Sequence, residues 1–180
     1  MLFLFSFFLA FFFHRTQAIL IRNVTIDDTT GDSLTGAPVT YTPADAWTSS
    51  KTCAECPDVK KLFSGTSHTS TFSVNDTKNP NVPLTASVSF NGSAIYVYCA
   101  LSHTASSPGN PGGDSDMTFY VDGVQVGVFV QPATGSAGFD YSVPVYVNSA
   151  LPPGPHTFTL QNGHENGAPS LLVLDEIIYT

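Results

Sequence analysis

The sequence predicts an all-β fold, a two-sheet antiparallel jelly-roll sandwich, from three observations. Beyond the first residues no stretch keeps a helical period, whereas apolar and polar residues alternate with period two in many short segments. Turn residues separate these segments. Aromatic residues make up 12% of the chain and charged residues 11%, so a packed core is combined with a surface made mainly of Ser, Thr, Asn and Gly.

The first 18 residues are predicted to be a signal peptide. Residues 2–13 are uncharged and almost wholly apolar, which suits an h-region and falls short of the ~20 residues that span a bilayer. Thr16-Gln17-Ala18 fits a cleavage site. No Lys or Arg precedes the run, so an uncleaved anchor is the alternative. We expect a secreted chain in which residues 19–180 form one β-sandwich domain without a later membrane span.

Secretion would allow N-glycosylation of acceptor motifs and disulfide formation between cysteines. N-glycosylation motifs occur at Asn23, Asn75 and Asn91. In an oxidising compartment we expect a local disulfide between Cys53 and Cys56, with Cys99 as a buried, inert thiol. A bridge from Cys99 to either of the other two cysteines is the alternative, which would tie a loop to a sheet.

Alternation places eight strands along the chain, or nine if Thr71 to Val74 is counted. Each predicted strand carries apolar side chains at alternate positions, as in segment 84–90, where Thr and Ser occupy the positions between. The predicted strands are Leu20 to Asp27, Thr71 to Val74, Leu84 to Phe90, Ala94 to Leu101, Met117 to Val121, Val124 to Val130, Tyr141 to Val147, Thr157 to Gln161 and Leu171 to Tyr179.

Turn signals predict how these strands connect. Asn91-Gly92 and Asp122-Gly123 are each typical of a two-residue hairpin turn. Pro144 lacks a backbone N–H, which favours an edge position for its strand. The remaining connections are predicted to be long loops, at Thr29 to Pro57, Ser102 to Ser115, Gln131 to Asp140 and Asn162 to Pro169.

Charge and motifs exclude several classes of function. The chain has 6 Lys+Arg against 14 Asp+Glu and a formal net charge of −8. This balance argues against nucleic-acid binding, which needs clustered Lys and Arg. No nucleophile elbow, zinc-protease motif, Walker loop or dinucleotide fingerprint occurs. The predicted partner is a glycan or a cell-surface protein.

Aromatic side chains are the candidate ligand-binding residues. Sugar sites combine aromatic platforms with a few polar groups, because an apolar ring face meets the apolar face of the sugar. Tyr96 and Tyr98 share the second face of one predicted strand, and Trp47 lies in a long loop. Each has a structural alternative, since the tyrosines could simply cover a sheet and a lone Trp could fill the core.

Three carboxylates are candidate ligands for a structural calcium ion. If the first and last strands are neighbours, Asp27, Asp28 and Asp175 meet and offer the oxygen ligands that calcium prefers. The alternative is that Asp27 and Asp28 cap the turn that follows them, where Asp is favoured. No other cofactor is expected.

Six stretches carry a resemblance to a known family: TIDDTTGD (Thr25 to Asp32), YTPADAW (Tyr41 to Trp47), TCAEC (Thr52 to Cys56), FNGSAIYVYCAL (Phe90 to Leu101), TFYVDG (Thr118 to Gly123) and SLLVLDEIIYT (Ser170 to Thr180). They resemble uncharacterised secreted or membrane-anchored surface proteins of mushroom-forming fungi. The resemblance implies a galactose-binding-domain-like sandwich and an extracellular location, and it transfers no site residue. Relatives commonly continue into a membrane anchor, so a chain ending at Thr180 is expected to be a secreted form or a truncated gene product.

Together these observations predict an extracellular, non-catalytic recognition module that binds carbohydrate. A structural or protein-interaction domain at the cell surface is the main alternative. A glycan hydrolase that assembles its carboxylates from distant strands is a further alternative.

Overall fold

The computed structural model describes residues 22–49, 56–107 and 112–180. Two antiparallel sheets pack face to face, which confirms the predicted all-β jelly-roll sandwich. The predicted signal peptide and Cys53 lie outside the described residues. The strands are β1 (Val24–Asp27), β2 (Gly31–Asp32), β3 (Thr40–Thr42), β4 (Trp47–Ser49), β5 (His68–Phe72), β6 (Leu84–Gly92), β7 (Ile95–Ser102), β8 (Ser115–Val121), β9 (Val124–Gln131), β10 (Phe139–Asn148), β11 (Gly154–Asn162) and β12 (Ser170–Tyr179).

The two sheets have different strand orders. Sheet A runs β10-β7-β12-β1-β2, and β5 pairs with β12 on the same side as β1 and carries β4. Sheet B runs β3-β6-β11-β8-β9. Short 3-10 turns at Ala44–Ala46, Val59–Lys61 and Phe63–Gly65 join the N-terminal strands. No helix within the described ranges is long and apolar enough to cross a membrane.

The core lies between the inner faces of the two sheets. Phe72, Phe119 and Phe158 are at most 1% exposed and belong to one continuous apolar cluster. A second, smaller cluster of Leu62, Ala100 and Val173 lies on the outer face of sheet A. Leu62 belongs to the segment before β5, so this segment packs on one end of the outer face of sheet A. It does not extend over the rest of that face.

The prediction of a hairpin turn at Asn91-Gly92 was wrong. Both residues lie within β6, where they pair with Pro155 and Gly154 of β11. The next strand, β7, belongs to the other sheet, so the chain crosses the sandwich here. Glycine is needed for a close approach, because a Cβ at Gly92 would lie 2.5 Å from the Thr180 carbonyl oxygen.

Two other turn and edge predictions are confirmed. Asp122 and Gly123 both have positive φ, at 53° and 78°, and they connect the paired strands β8 and β9. Pro144 lies in β10, which is an edge strand of sheet A. In both cases the chemistry of the residue itself was sufficient: Asp-Gly accepts positive φ, and proline lacks the N–H that an interior strand needs.

The predicted loop Thr29 to Pro57 contains three strands that the alternation did not reveal. These strands, β2 to β4, have only two or three residues each, which is too short for a period-two pattern. β5 begins at His68, three residues before its predicted start, and β1 is described from Val24.

Candidate functional site

The candidate site lies on the outer face of sheet A, at the middle of strand β7. Ile95, Val97 and Cys99 of this strand are fully buried in the core. Because side chains alternate along a strand, Tyr96 and Tyr98 point to the opposite face, where both are half-buried. The predicted common face of the two tyrosines is therefore present.

The strand register surrounds these tyrosines with a defined set of neighbours. Tyr96 lies between Val147 of β10 and Ile178 of β12. Tyr98 lies between Pro144 of β10 and Glu176 of β12. Pro144 and Val147 are exposed, and Glu176 and Ile178 are half-buried. We call this surface the tyrosine face; it comprises Tyr96, Tyr98, Pro144, Val147, Glu176 and Ile178.

The hydroxyl groups of Tyr96 and Tyr98 differ from those of all other tyrosines in the chain. Each of the other five makes a hydrogen bond within the protein, namely Tyr41 to Asp28 O, Tyr120 to Gln161, Tyr141 with Asp58 N, Tyr146 with Asn148 and Tyr179 to Asp32. The hydroxyls of Tyr96 and Tyr98 bond to no described residue, and they are not among the buried polar atoms.

Glu176 adds a carboxylate to the tyrosine face. Among the described residues it has no hydrogen-bond partner, and it is the register partner of Tyr98 on one side and of Asp27 on the other. Burial raises its pKa, and the nearby Asp27 raises it further. The tyrosine face thus offers two phenol hydroxyls and a carboxyl group that the fold itself does not use. Sequence alone missed Glu176, because its position beside Tyr98 depends on how β12 pairs with β7.

The three predicted calcium ligands come near one another but are engaged in hydrogen bonds. Oδ1 of Asp27 accepts from the N–H groups of Thr29 and Thr30, at 3.0 and 2.7 Å. This is the turn-capping role that was the alternative to calcium. Asp175 Oδ1 accepts from the Phe63 N–H at 2.8 Å.

Asp28 has the most enclosed carboxylate of the three. Its side chain is 0% exposed, and Thr66 Oγ1 donates to Oδ1 at 2.6 Å. Oδ2 lies 2.6 Å from Nδ1 of His68, whose ring stacks on Tyr41 at 4.3 Å. This network fastens the turn after β1 to the start of β5.

The described residues contain no group of three or more His, Cys, Asp or Glu side chains arranged to hold a metal ion. Structural calcium at Asp27, Asp28 and Asp175 stays a prediction. Its test is the melting temperature in the presence of a chelator, because an ion that binds only the folded state stabilises that state. A fall on chelation would support the ion, and an unchanged value would exclude it.

The pKa of Asp175 makes stability depend on pH. Burial raises this pKa from 3.8 to about 7, with further contributions from Glu176, Asp28 and Asp27. The folded state therefore binds a proton that the unfolded state has released, so Asp175 lowers stability as the pH rises from about 4 to about 7. We expect Asp175→Asn, which stays uncharged, to flatten this fall in melting temperature and to stabilise the protein at pH above 7. Parallel pH profiles of the variant and the wild type would contradict this expectation.

The prediction of Trp47 as a ligand platform does not hold in the structure. Trp47 is 8% exposed and belongs to the main core cluster. Its ring lies 4.8 Å from that of Tyr41. Strands β3 and β4 bring these two side chains inward, so the faces of the indole are closed to a sugar and the structural alternative applies.

Cys99 is buried, as predicted. Cys99 is a free thiol with 0% exposure, and burial followed by the charge of Asp175 raises its pKa. Cys56 is half-buried, and the predicted disulfide to Cys53 stays a prediction because Cys53 lies outside the described residues. The acceptors Asn23, Asn75 and Asn91 are all exposed, so a glycosyltransferase could reach them; their glycosylation also stays a prediction.

The structure also contains a cleft that the sequence did not reveal. It has a volume of about 440 Å³ and lies between strands β4 and β5 and the segment 76–82. Asp45, Asp76 and Lys78 contribute polar groups, and Phe72 is among its apolar walls. These residues come from separate segments, so no local pattern in the sequence could have predicted the cleft.

Comparison with solved structures finds matches at low sequence identity. One is an exo-β-1,3-galactanase from Phanerochaete chrysosporium with β-1,3-galactotriose (17% identity, 89% of this chain and 30% of that chain, TM-score 0.46). A family 35 carbohydrate binding module from Clostridium thermocellum has 10% identity over 88% of this chain and 97% of its own, with a TM-score of 0.49. The module TmCBM61, in complex with β-1,4-galactotriose, has 10% identity over 79% of this chain and 88% of its own, with a TM-score of 0.47.

All three TM-scores are below 0.5, and the chain spans less than a third of the galactanase. No protein-family model matches the sequence, and no curated protein is significantly similar to it. What this chain binds must therefore be inferred from its own residues.

Proposed function

We propose that the protein is an extracellular, non-catalytic glycan-recognition module and that the tyrosine face is its binding surface. The observation that carries this proposal is the pair of unused hydroxyls at Tyr96 and Tyr98. Buried polar groups in a folded protein are mostly hydrogen-bonded, and the hydroxyls of the other five tyrosines make hydrogen bonds within this protein. Two adjacent tyrosines that keep their hydroxyls free are available for a ligand.

The chemistry of the face suits a sugar. Tyrosine presents an apolar ring to the C–H face of a sugar and a hydroxyl group to its polar edge. Glu176, beside Tyr98, supplies carboxyl oxygens that accept hydrogen bonds from sugar hydroxyls. The rise of a strand places residues i and i+2 about 7 Å apart, so Tyr96 and Tyr98 would contact successive parts of an extended glycan rather than enclose a single small molecule.

Binding to arrayed soluble glycans and to insoluble polysaccharides tests this proposal. We expect the wild-type chain to bind one glycan class saturably and the variant Tyr96→Ala/Tyr98→Ala to lose that binding. Tyr120→Ala is the matched control, because Tyr120 is half-buried on the outer face of the other sheet. Melting temperatures establish that all three proteins are folded.

Three outcomes would count against the proposal. A folded wild-type chain that binds no glycan would favour a structural or protein-binding role. Retained binding in the double variant would place the site elsewhere, with the cleft between β4 and β5 as the next candidate. Release of shortened sugars during incubation would show a hydrolase instead of a binding module.

A further inference from the structure

Strand β9 is an open edge of sheet B. It pairs with β8 on one side, and on its other side no described residue makes a backbone hydrogen bond to it. Its sequence, VQVGVFVQ, contains no charged residue and no proline. Proteins usually protect such edges with charges, prolines or a covering segment, because free N–H and C=O groups pair readily with another strand.

The same strand exposes four valines, of which Val124 lies beyond a register irregularity and pairs with the core-facing Val121. Four of the nine large apolar residues that are exposed in the described part of the chain lie on it: Val124 at 65%, Val126 at 40%, Val128 at 62% and Val130 at 69%. Val128 and Val130 are register partners of Thr118 and Asp116, so they point to the outer face of sheet B. An apolar row beside unpaired backbone groups is typical of a surface that is covered in an assembly.

Two features select a second copy of this chain as the partner. The strand is almost palindromic about Val128, with Val126 and Val130 on either side and Gln125 and Gln131 beyond them. A two-fold interface requires this self-complementarity. The chain also carries a formal net charge of −8, so an uncharged edge is the place where two copies approach with little repulsion.

We propose that β9 pairs antiparallel with β9 of a second copy, about a two-fold axis at Val128. In this register Val126 of one copy lies opposite Val130 of the other, and Gly127 lies opposite Phe129. The two sheets B then become one continuous ten-stranded sheet, and six valines form a single stripe on its outer face. The tyrosine faces of both copies are directed to the opposite side, so the dimer is bivalent for a surface that carries glycans.

A charge-swap experiment tests both the dimer and its register. We expect the wild-type chain to sediment as a dimer. Val126→Lys/Val130→Lys places Lys opposite Lys twice and should give monomers, because like charges directly opposite one another are destabilising. Val126→Lys/Val130→Glu places Lys opposite Glu twice and should restore the dimer. All substituted sites are exposed, so both variants should fold, and the double-lysine variant should melt lower than the two dimers only by the stabilisation that dimerisation provides.

Each outcome of the sedimentation experiment supports or contradicts a different part of the proposal. A monomeric wild-type chain across the concentration range would overturn the proposal, and the edge would then serve a different partner. A dimer that persists in the double-lysine variant would place the interface elsewhere. Equal dissociation constants for the two variants would contradict the register through Val128. Because sedimentation needs no glycan, this result is independent of whether the tyrosine face binds sugar.

Discussion

Replacing Asp28 with alanine is expected to lower the free energy of unfolding by about 3 kcal/mol, because it breaks a buried polar pair and leaves partners unsatisfied. The Asp28 side chain is fully buried. It holds Thr66 Oγ1 and His68 Nδ1, each at 2.6 Å, and it receives the Thr29 hydroxyl at 2.8 Å. Asp27 reaches the same segment only through a longer contact, with Thr66 Oγ1 3.5 Å from its Oδ2.

Chemical denaturation near neutral pH measures this change, and thermal melting provides a second readout. A loss of about 3 kcal/mol corresponds to roughly 6–12 °C in melting temperature for a domain of this size. The matched control is Asp45→Ala, an exposed carboxylate, which should change stability by less than about 0.5 kcal/mol. If Asp28→Ala melts at the same temperature as Asp45→Ala, the buried network does not stabilise the fold as described.

Replacing Tyr98 with alanine is expected to weaken glycan binding about 30-fold, which equals about 2 kcal/mol for a central aromatic contact. Tyr98 lies between Pro144 and the carboxyl group of Glu176, so its ring occupies the middle of the proposed surface. Loss of the ring removes the apolar platform and one hydroxyl together.

Conservative variants separate these two contributions. Tyr98→Phe keeps the ring and loses the hydroxyl, so we expect a weakening of about fivefold, the value of one net hydrogen bond. Glu176→Gln keeps the shape and one acceptor oxygen and should have a similar effect. Tyr120→Phe is the control on the other sheet and should leave affinity unchanged. Titration with a soluble oligosaccharide measures all four; equal affinities for wild type and Tyr98→Ala would remove Tyr98 from the site.

The strands of this protein were predictable where one face is buried and the other is open. Segment 84–90 shows this clearly, because its even positions are core and its odd positions are Ser or Thr. The partner of each strand was less predictable. Asn91-Gly92 has the local signature of a hairpin, yet Gly92 is selected by its approach to the Thr180 carbonyl, and β6 and β7 belong to different sheets.

The candidate site was predictable in part for the same reason. Alternation within one strand placed Tyr96 and Tyr98 on a common face, because that relation needs no knowledge of other strands. The position of Glu176 needed the register of β12 against β7, which depends on distant packing. Trp47 was misjudged because its burial depends on β3 and β4, strands too short to show a pattern.

Binding of a glycan on the tyrosine face is open to observation at the individual rings. NMR of the chain with isotope-labelled tyrosine rings, titrated with the glycan class selected on the array, tests it most directly, because all seven tyrosines lie in described segments. We expect the ring signals of Tyr96 and Tyr98 to shift with ligand concentration, while the signal of Tyr120 on the opposite sheet stays in place. Shifts at Tyr120, or saturable binding that leaves Tyr96 and Tyr98 unchanged, would contradict binding on this face.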